Sequence, residues 1–297
     1  MSTNIELAKP RDFGEIISDT FQFVRQNFKP LLKYFFIFCG FFLLASTVLN
    51  VLVQVKALSF MSNINTYDFQ EDKVSSVFSM LSVYLLLIFF MILTQVSINV
   101  MALCYMTIYK QKQNITPTTE EMWGYFKFYF LKIFGSSLLL SILIVLGAFF
   151  CLLPGIYLAI VFALVPPIMI VENTSFGYAF NRCFSLIKNN WWQTFGTLIV
   201  VYIIIYVCSM VVTVPSMIFG AGSVFLHIKE KTPLTLPVSI ITSISQSFIH
   251  VLYILLTVAV GLCYFNLTES KEGTHMMERI NQFGNTNTDT NSAPEEY

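Results

Sequence analysis

From Leu31 to Val55 the chain reads LLKYFFIFCGFFLLASTVLNVLVQV, with Lys33 as its only charged residue. A helix rises about 1.5 Å per residue, so such a run covers the ~30 Å hydrocarbon core of a bilayer. Five more apolar runs follow, at about 77–109, 133–152, 156–171, 192–214 and 238–265. In lipid every backbone N–H and C=O must be paired within the protein, which leaves helices or closed barrels. A barrel strand crosses in about 9–11 residues, far fewer than most of these runs contain. The expected fold is all-α, a polytopic membrane protein with six transmembrane helices.

Composition agrees. Hydrophobic residues make up 56% of the chain and charged residues only 11%, against about 25% charged in an ordinary soluble domain. Formal net charge is zero, and no basic stripe with interleaved aromatics stands in a polar segment, so nucleic acid is not an expected partner. Residues 1–30 are mixed and polar and do not read as a cleaved signal peptide. The expected organisation is one transmembrane domain over 1–280 and a polar, disordered tail over 281–297, NQFGNTNTDTNSAPEEY.

Lysine and arginine orient the threading. With the N-terminus cytoplasmic, only Lys56, Lys73, Lys229 and Lys231 of the 17 basic residues fall outside. The positive-inside bias therefore predicts a multi-pass protein of the cytoplasmic (inner) membrane with both termini cytoplasmic. Leu153-Pro154-Gly155 is expected to break the chain between the third and fourth spans. The stretch 215–237 is open to three readings, a helical extension, a re-entrant segment or an outside loop, of which extension or loop is simpler.

One device recurs. Arg25–Lys33 (RQNFKPLLK), Lys127–Gly135 (KFYFLKIFG) and Lys188–Gly196 (KNNWWQTFG) each begin with a basic residue, pass through aromatics and feed a span. Before the first, Phe13, Ile17, Phe21, Val24 and Phe28 recur at helical spacing; before the third, Phe176, Phe180, Phe184 and Ile187 do so. The middle copy is less clean. These patterns predict cytoplasmic amphipathic interfacial helices and a three-fold helix-hairpin pseudo-repeat, each helix with its apolar face in the headgroup layer. Trp191 and Trp192 suit that boundary, with apolar rings and wet N–H groups, and Lys188 can snorkel.

Candidate chemistry is sparse. No acid, lysine or arginine stands at a span centre, which lowers the expectation of charge-coupled transport. Glu172, ending the fourth span, has Arg182 or Lys188 as prospective partners, and two readings stand: a structural ion pair pinning the interfacial helix, or a lipid-headgroup site. His250 lies near mid-span, either as a neutral imidazole satisfied by a hydroxyl or carbonyl, or as part of a polar cavity. Pro166-Pro167 removes two backbone donors and predicts a kink or local unwinding. The six cysteines read as small buried hydrophobes, and His227 and His275 are too isolated to join His250 in a metal site. No metal, cofactor or catalytic motif is expected.

Residues 154–196, PGIYLAIVFALVPPIMIVENTSFGYAFNRCFSLIKNNWWQTFG, carry a resemblance. The turn at Leu153-Pro154-Gly155, Glu172 closing a span, and Ser175, Ala179, Arg182, Leu186, Trp191, Trp192, Phe195 and Gly196 resemble the membrane region attached to some bacterial glycerophosphoryl diester phosphodiesterases and its stand-alone homologues. Cys183 stands where Ser is common, and Asn190 near a common Gly. The end of the chain, Tyr264–Ile280, resembles stand-alone members in the Bacteroidota. The resemblance implies a six-helix inner-membrane protein and carries no hydrolase residues, since that domain has no counterpart here. The expected role is non-enzymatic: organising lipid or serving as an accessory subunit, with membrane lipids and a membrane-protein partner or second copy as partners. The alternative is a permease or channel for a small or amphiphilic solute, which requires a polar path reaching His250 and Pro166-Pro167.

Overall fold

A computed structural model describes residues 5–63, 72–226 and 235–273, and the expected disordered tail over 281–297, His227 and His275 lie outside them. The described residues form nine helices and no strand: α1 (Phe13–Gln26), α2 (Phe28–Asn63), α3 (Asp72–Gln111), α4 (Thr119–Phe150), α5 (Leu152–Phe162), α6 (Val165–Val171), α7 (Phe176–Ile187), α8 (Trp191–Leu226) and α9 (Thr235–Glu272). Six stretches are long and apolar enough to cross a membrane: α2, α3, α4, α5 with α6, α8 and α9. The chain is thus an all-α polytopic membrane protein.

The centre is built by α3 and α9. From Ile98 to Tyr109 α3 is almost wholly buried, with Met101, Cys104 and Tyr105 fully enclosed. Small residues let α9 approach: a Cβ on Gly261 would stand 2.8 Å from the Met106 sulfur. The outer helices present the opposite picture, with Phe41, Phe149 and Val211 more than 70% exposed. In water such surfaces would be untenable; in a bilayer they are the lipid face.

The third and fourth spans are closely folded back. The reversal falls at Cys151, which is extended (φ −165°, ψ 142°), while Leu153-Pro154-Gly155 forms the first turns of α5. The break is therefore earlier than expected, because a proline in a first helical turn forfeits a donor that has no partner there anyway. Gly155 is packed against α4 so closely that a Cβ would lie 2.7 Å from the Ala148 Cβ. The next break is where expected. α5 ends at Phe162, Ala163 and Leu164 form a turn, and Pro166-Pro167 opens α6.

Two of the three expected interfacial helices are separate elements. Asn27 divides α1 from α2, and the Lys188-Asn189-Asn190 turn, with Asn189 at φ 75°, divides α7 from α8. The middle copy has no such helix. Thr118 caps α4, its hydroxyl accepting from the Glu121 N–H while the Glu121 carboxylate accepts from the Thr118 N–H, and the helix then runs unbroken to Phe150. In 215–237, α8 continues as helix through Pro215 to Leu226, and 227–234 lie outside the described residues.

Candidate functional site

The end of the bundle that carries α1 and α7 holds the ion pairs of Arg11 and Arg182. Glu172 closes α6, and the next residue, Asn173, turns the chain at φ 50°. That turn is held by the Tyr129 hydroxyl, which donates to Asn173 Oδ1 at 2.8 Å. α7 begins at Phe176. Arg182 Nε then meets Glu172 Oε1 at 2.7 Å, and Arg182 Nη2 meets Glu272 Oε1 at 2.6 Å. Tyr264 of α9 adds a third contact, donating to the same Glu172 oxygen at 2.9 Å. One guanidinium therefore ties α6, α7 and α9 together. Burial pulls the Arg182 pKa down, but its hydrogen bonds to Glu172 and Glu272 outweigh burial and leave it above the usual arginine value.

Of the two prospective partners of Glu172, Arg182 is engaged and Lys188 is not. Lys188 is exposed at the end of α7 and has no ion pair among the described residues. The two tryptophans also divide. Trp192 is 77% exposed, in keeping with a boundary residue. Trp191 is half-buried, stacked on Phe195 at 4.9 Å and on Tyr157 at 5.8 Å. Its Nε1 is buried with no partner among the described residues, so the expectation of a wet N–H fails for Trp191. Tyr157 of α5 and Phe195 of α8 stack on the ring.

The amphipathic helices are less free than expected. Phe162 receives Phe180 and Phe184 at centroid distances of 5.4 and 5.9 Å, which docks the α7 stripe onto α5. α1 buries Ile16, Thr20 and Phe23 in the bundle and leaves Phe13 and Phe21 exposed, as is Phe28 at the start of α2. The segment before α1 is held by Arg11, whose fully buried side chain pairs with Asp19 at 2.7 Å and donates to the carbonyls of Glu6, Leu7 and Lys9. Its backbone N–H donates to Asn266 of α9, and its carbonyl accepts from Gln193 of α8. Arg11 showed in the sequence only as one basic residue among many.

A second polar feature lies within the spans. On α2, Thr47, Asn50 and Gln54 face Thr242, Ser243, Gln246 and Ser247 of α9. Asn50 Nδ2 donates to Gln246 Oε1 at 3.0 Å, Gln54 Nε2 to Asn50 Oδ1 at 2.7 Å, and Thr242 to Gln54 Oε1 at 2.9 Å. Thr47 and Ser247 share a hydrogen bond of 2.6 Å. The spacing of three and four along each helix was readable; that the two faces meet was not. His250, one turn on, places Nδ1 3.3 Å from the Gln246 carbonyl and its ring edge-on to Tyr253.

A cavity of about 270 Å³ lies between α3, α4, the α5–α6 break and α9. Pro166 lines it, as do Gln95 and Asn99 of α3 and Thr257 of α9, whereas His250 does not. The three candidate intramembrane residues are therefore not brought to one site: Pro166 lines the cavity, and His250 and Pro167 do not. Cys39, Cys104, Cys183 and Cys263 are buried, and burial pushes the Cys183 thiol up to about 12. Cys151 and Cys208 are exposed, against expectation, since both lie on the outer surface. No group of three metal-ligating side chains occurs among the described residues.

Fold and surface together define the class: a multi-pass α-helical integral membrane protein in contact with lipid. Within it, residues 123–268 match a family described as Domain of unknown function (DUF7847). The match runs from the start of α4 through most of α9 and includes Glu172, Arg182, Trp191, Trp192 and Tyr264. No curated protein and no solved structure matches the chain.

Proposed function

We propose that the protein is non-enzymatic and organises lipid at the membrane face that carries α1 and α7, acting as an accessory subunit beside a membrane partner. The observation that carries this reading is that Lys188 and Trp192, four positions apart across one short turn, are both exposed, while Arg182 is already paired with Glu172 and Glu272. A lysine on a flexible stem beside a boundary indole matches an anionic headgroup above acyl chain. The exposed rings of Phe13, Phe21 and Phe28 add an apolar strip at the same end. The resemblance of 154–196 to a membrane region that accompanies phosphodiesterases suits an accessory role. The orientation that goes with this reading puts both termini in the cytoplasm, facing the more anionic leaflet.

The test is the lipid that copurifies with the full chain. Lys188→Gln with Trp192→Ala lowers the enrichment of phosphatidylglycerol over phosphatidylethanolamine at least several-fold, while Arg182→Gln does not. Unchanged enrichment in a normally folded double variant overturns the reading. A permease draws support from the cavity beside Pro166, but the enclosed layer of Leu103, Tyr105 and Met106 on α3 weighs against a continuous path.

A further inference from the structure

The cavity beside the α5–α6 break is unused by the surface reading. Its polar lining has more hydrogen-bonding capacity than the protein satisfies. The Thr257 hydroxyl donates to Asn99 Oδ1 at 2.8 Å, so that oxygen is occupied while Nδ2 has no acceptor among the described residues. Gln95, one turn along α3, makes no side-chain hydrogen bond among the described residues. Phe162, Ala163 and Pro166 form another wall, and the carbonyls of Phe162 and Ala163 find no N–H four residues on, at Pro166 and Pro167. Thr257 lies two turns from Tyr264 along α9, so the cavity stands about 10 Å from the Glu172 end, well into the hydrocarbon. Unpaired amides and carbonyls are strongly unfavourable there.

The remaining walls select among ligands. No charged side chain lines the cavity, and Leu103, Ile144 and Leu256 make much of it apolar. An ion or a zwitterion would find no countercharge. Ser141 is exposed and also lines it, so the cavity communicates with the lipid-facing side of α4. Its volume is close to the lower end of the ~300–1,000 Å³ usual for small-molecule sites. It encloses a small head and the start of a chain, and leaves the rest of the chain among lipid.

We propose that this cavity binds one uncharged amphiphile of the long-chain alcohol or monoacylglycerol class. Its oxygen accepts from the amides of Gln95 and Asn99, its hydroxyl donates to the carbonyls of Phe162 or Ala163, and its chain leaves past Ile144. This site is independent of Lys188 and Trp192.

Tritiated 1-monooleoylglycerol, titrated onto the full-length protein in dodecyl maltoside, tests it. The wild type binds saturably at one per chain, and dodecanol competes while laurate does not. Gln95→Leu with Asn99→Leu weakens binding at least tenfold. Ala163→Phe, which fills the cavity and keeps the amides, abolishes it. Elution volume and thermal midpoint establish folding, and Ala163→Phe decides if the polar pair does not fold. Lys188→Gln with Trp192→Ala leaves monooleoylglycerol binding unchanged, so failure of the surface reading is separable. Non-saturable uptake, equal binding by the folded variants, or laurate competing as well as dodecanol overturns the proposal.

Discussion

Asn50 of α2 donates its side-chain amide to Oε1 of Gln246 on α9 across 3.0 Å, between two helices long and apolar enough to span a membrane. The same Asn50 accepts from Gln54 at 2.7 Å, so it is the hub of the α2–α9 ladder. Within a bilayer, apolar contact alone barely drives helices together, because lipid is as apolar as they are. Polar bonds of this kind fix which helices pair and in what register.

Removing the hub has a measurable consequence. Asn50→Leu is expected to lower stability by about 1–2 kcal/mol, since interhelical bonds in membranes average about 0.6 kcal/mol and the partners are left unpaired. Gln246→Leu costs a comparable amount. The double variant costs less than the sum, because the second change removes a group already orphaned. Unfolding in mixed micelles measures all three; strict additivity would show that the bond is idle.

The Arg182 clamp predicts unequal losses. Glu172 and Arg182 side chains are 18% and 19% exposed, Glu272 35%. Glu172→Gln is expected to destabilise by about 2–3 kcal/mol, because it also weakens the Tyr264 contact and leaves a half-buried guanidinium short of charge. Glu272→Gln, a bond close to water, costs below about 1 kcal/mol. Limited proteolysis between α6 and α7, together with thermal midpoints, gives the order. A larger loss from Glu272→Gln would mean that α7 is held chiefly through α9.

What could be read from the chain was whatever depends on one segment at a time. The six spans needed only length and apolarity. Asn27 and Asn189 mark the two real elbows, while the Thr118 cap and the unbroken run behind it erase the middle one. Pairings between distant segments stayed hidden. Thr47, Asn50 and Gln54 show a polar face without a partner's address, and Arg11 shows a charge without the carbonyls that enclose it. Trp191 was misplaced for the same reason: Tyr157, 34 positions earlier, stacks on its ring.

Two glycines give opposite predictions. A Cβ at Gly155 would lie 2.7–2.9 Å from Ala148, including its backbone, which cannot rotate away. Gly155→Ala is expected to cost about 1–3 kcal/mol by forcing α5 off α4. Gly14, in the first turn of α1, has nothing within 4 Å of an added Cβ. Gly14→Ala is expected to be neutral or stabilising by up to about 1 kcal/mol, through the unfolded chain's entropy. Thermal shift in detergent distinguishes them, and equal effects would refute the close approach.

The proposed orientation turns on a charge count, and Lys188 offers a direct check. It is exposed in the polar turn between α7 and α8, beside Asn189 and Asn190. A membrane-impermeant maleimide added to spheroplasts is the probe. With all native cysteines replaced, Lys188→Cys is labelled only after lysis. Labelling without lysis would place both termini outside, put Lys188 and Trp192 against the outer leaflet, and remove the anionic-leaflet argument from the proposed function.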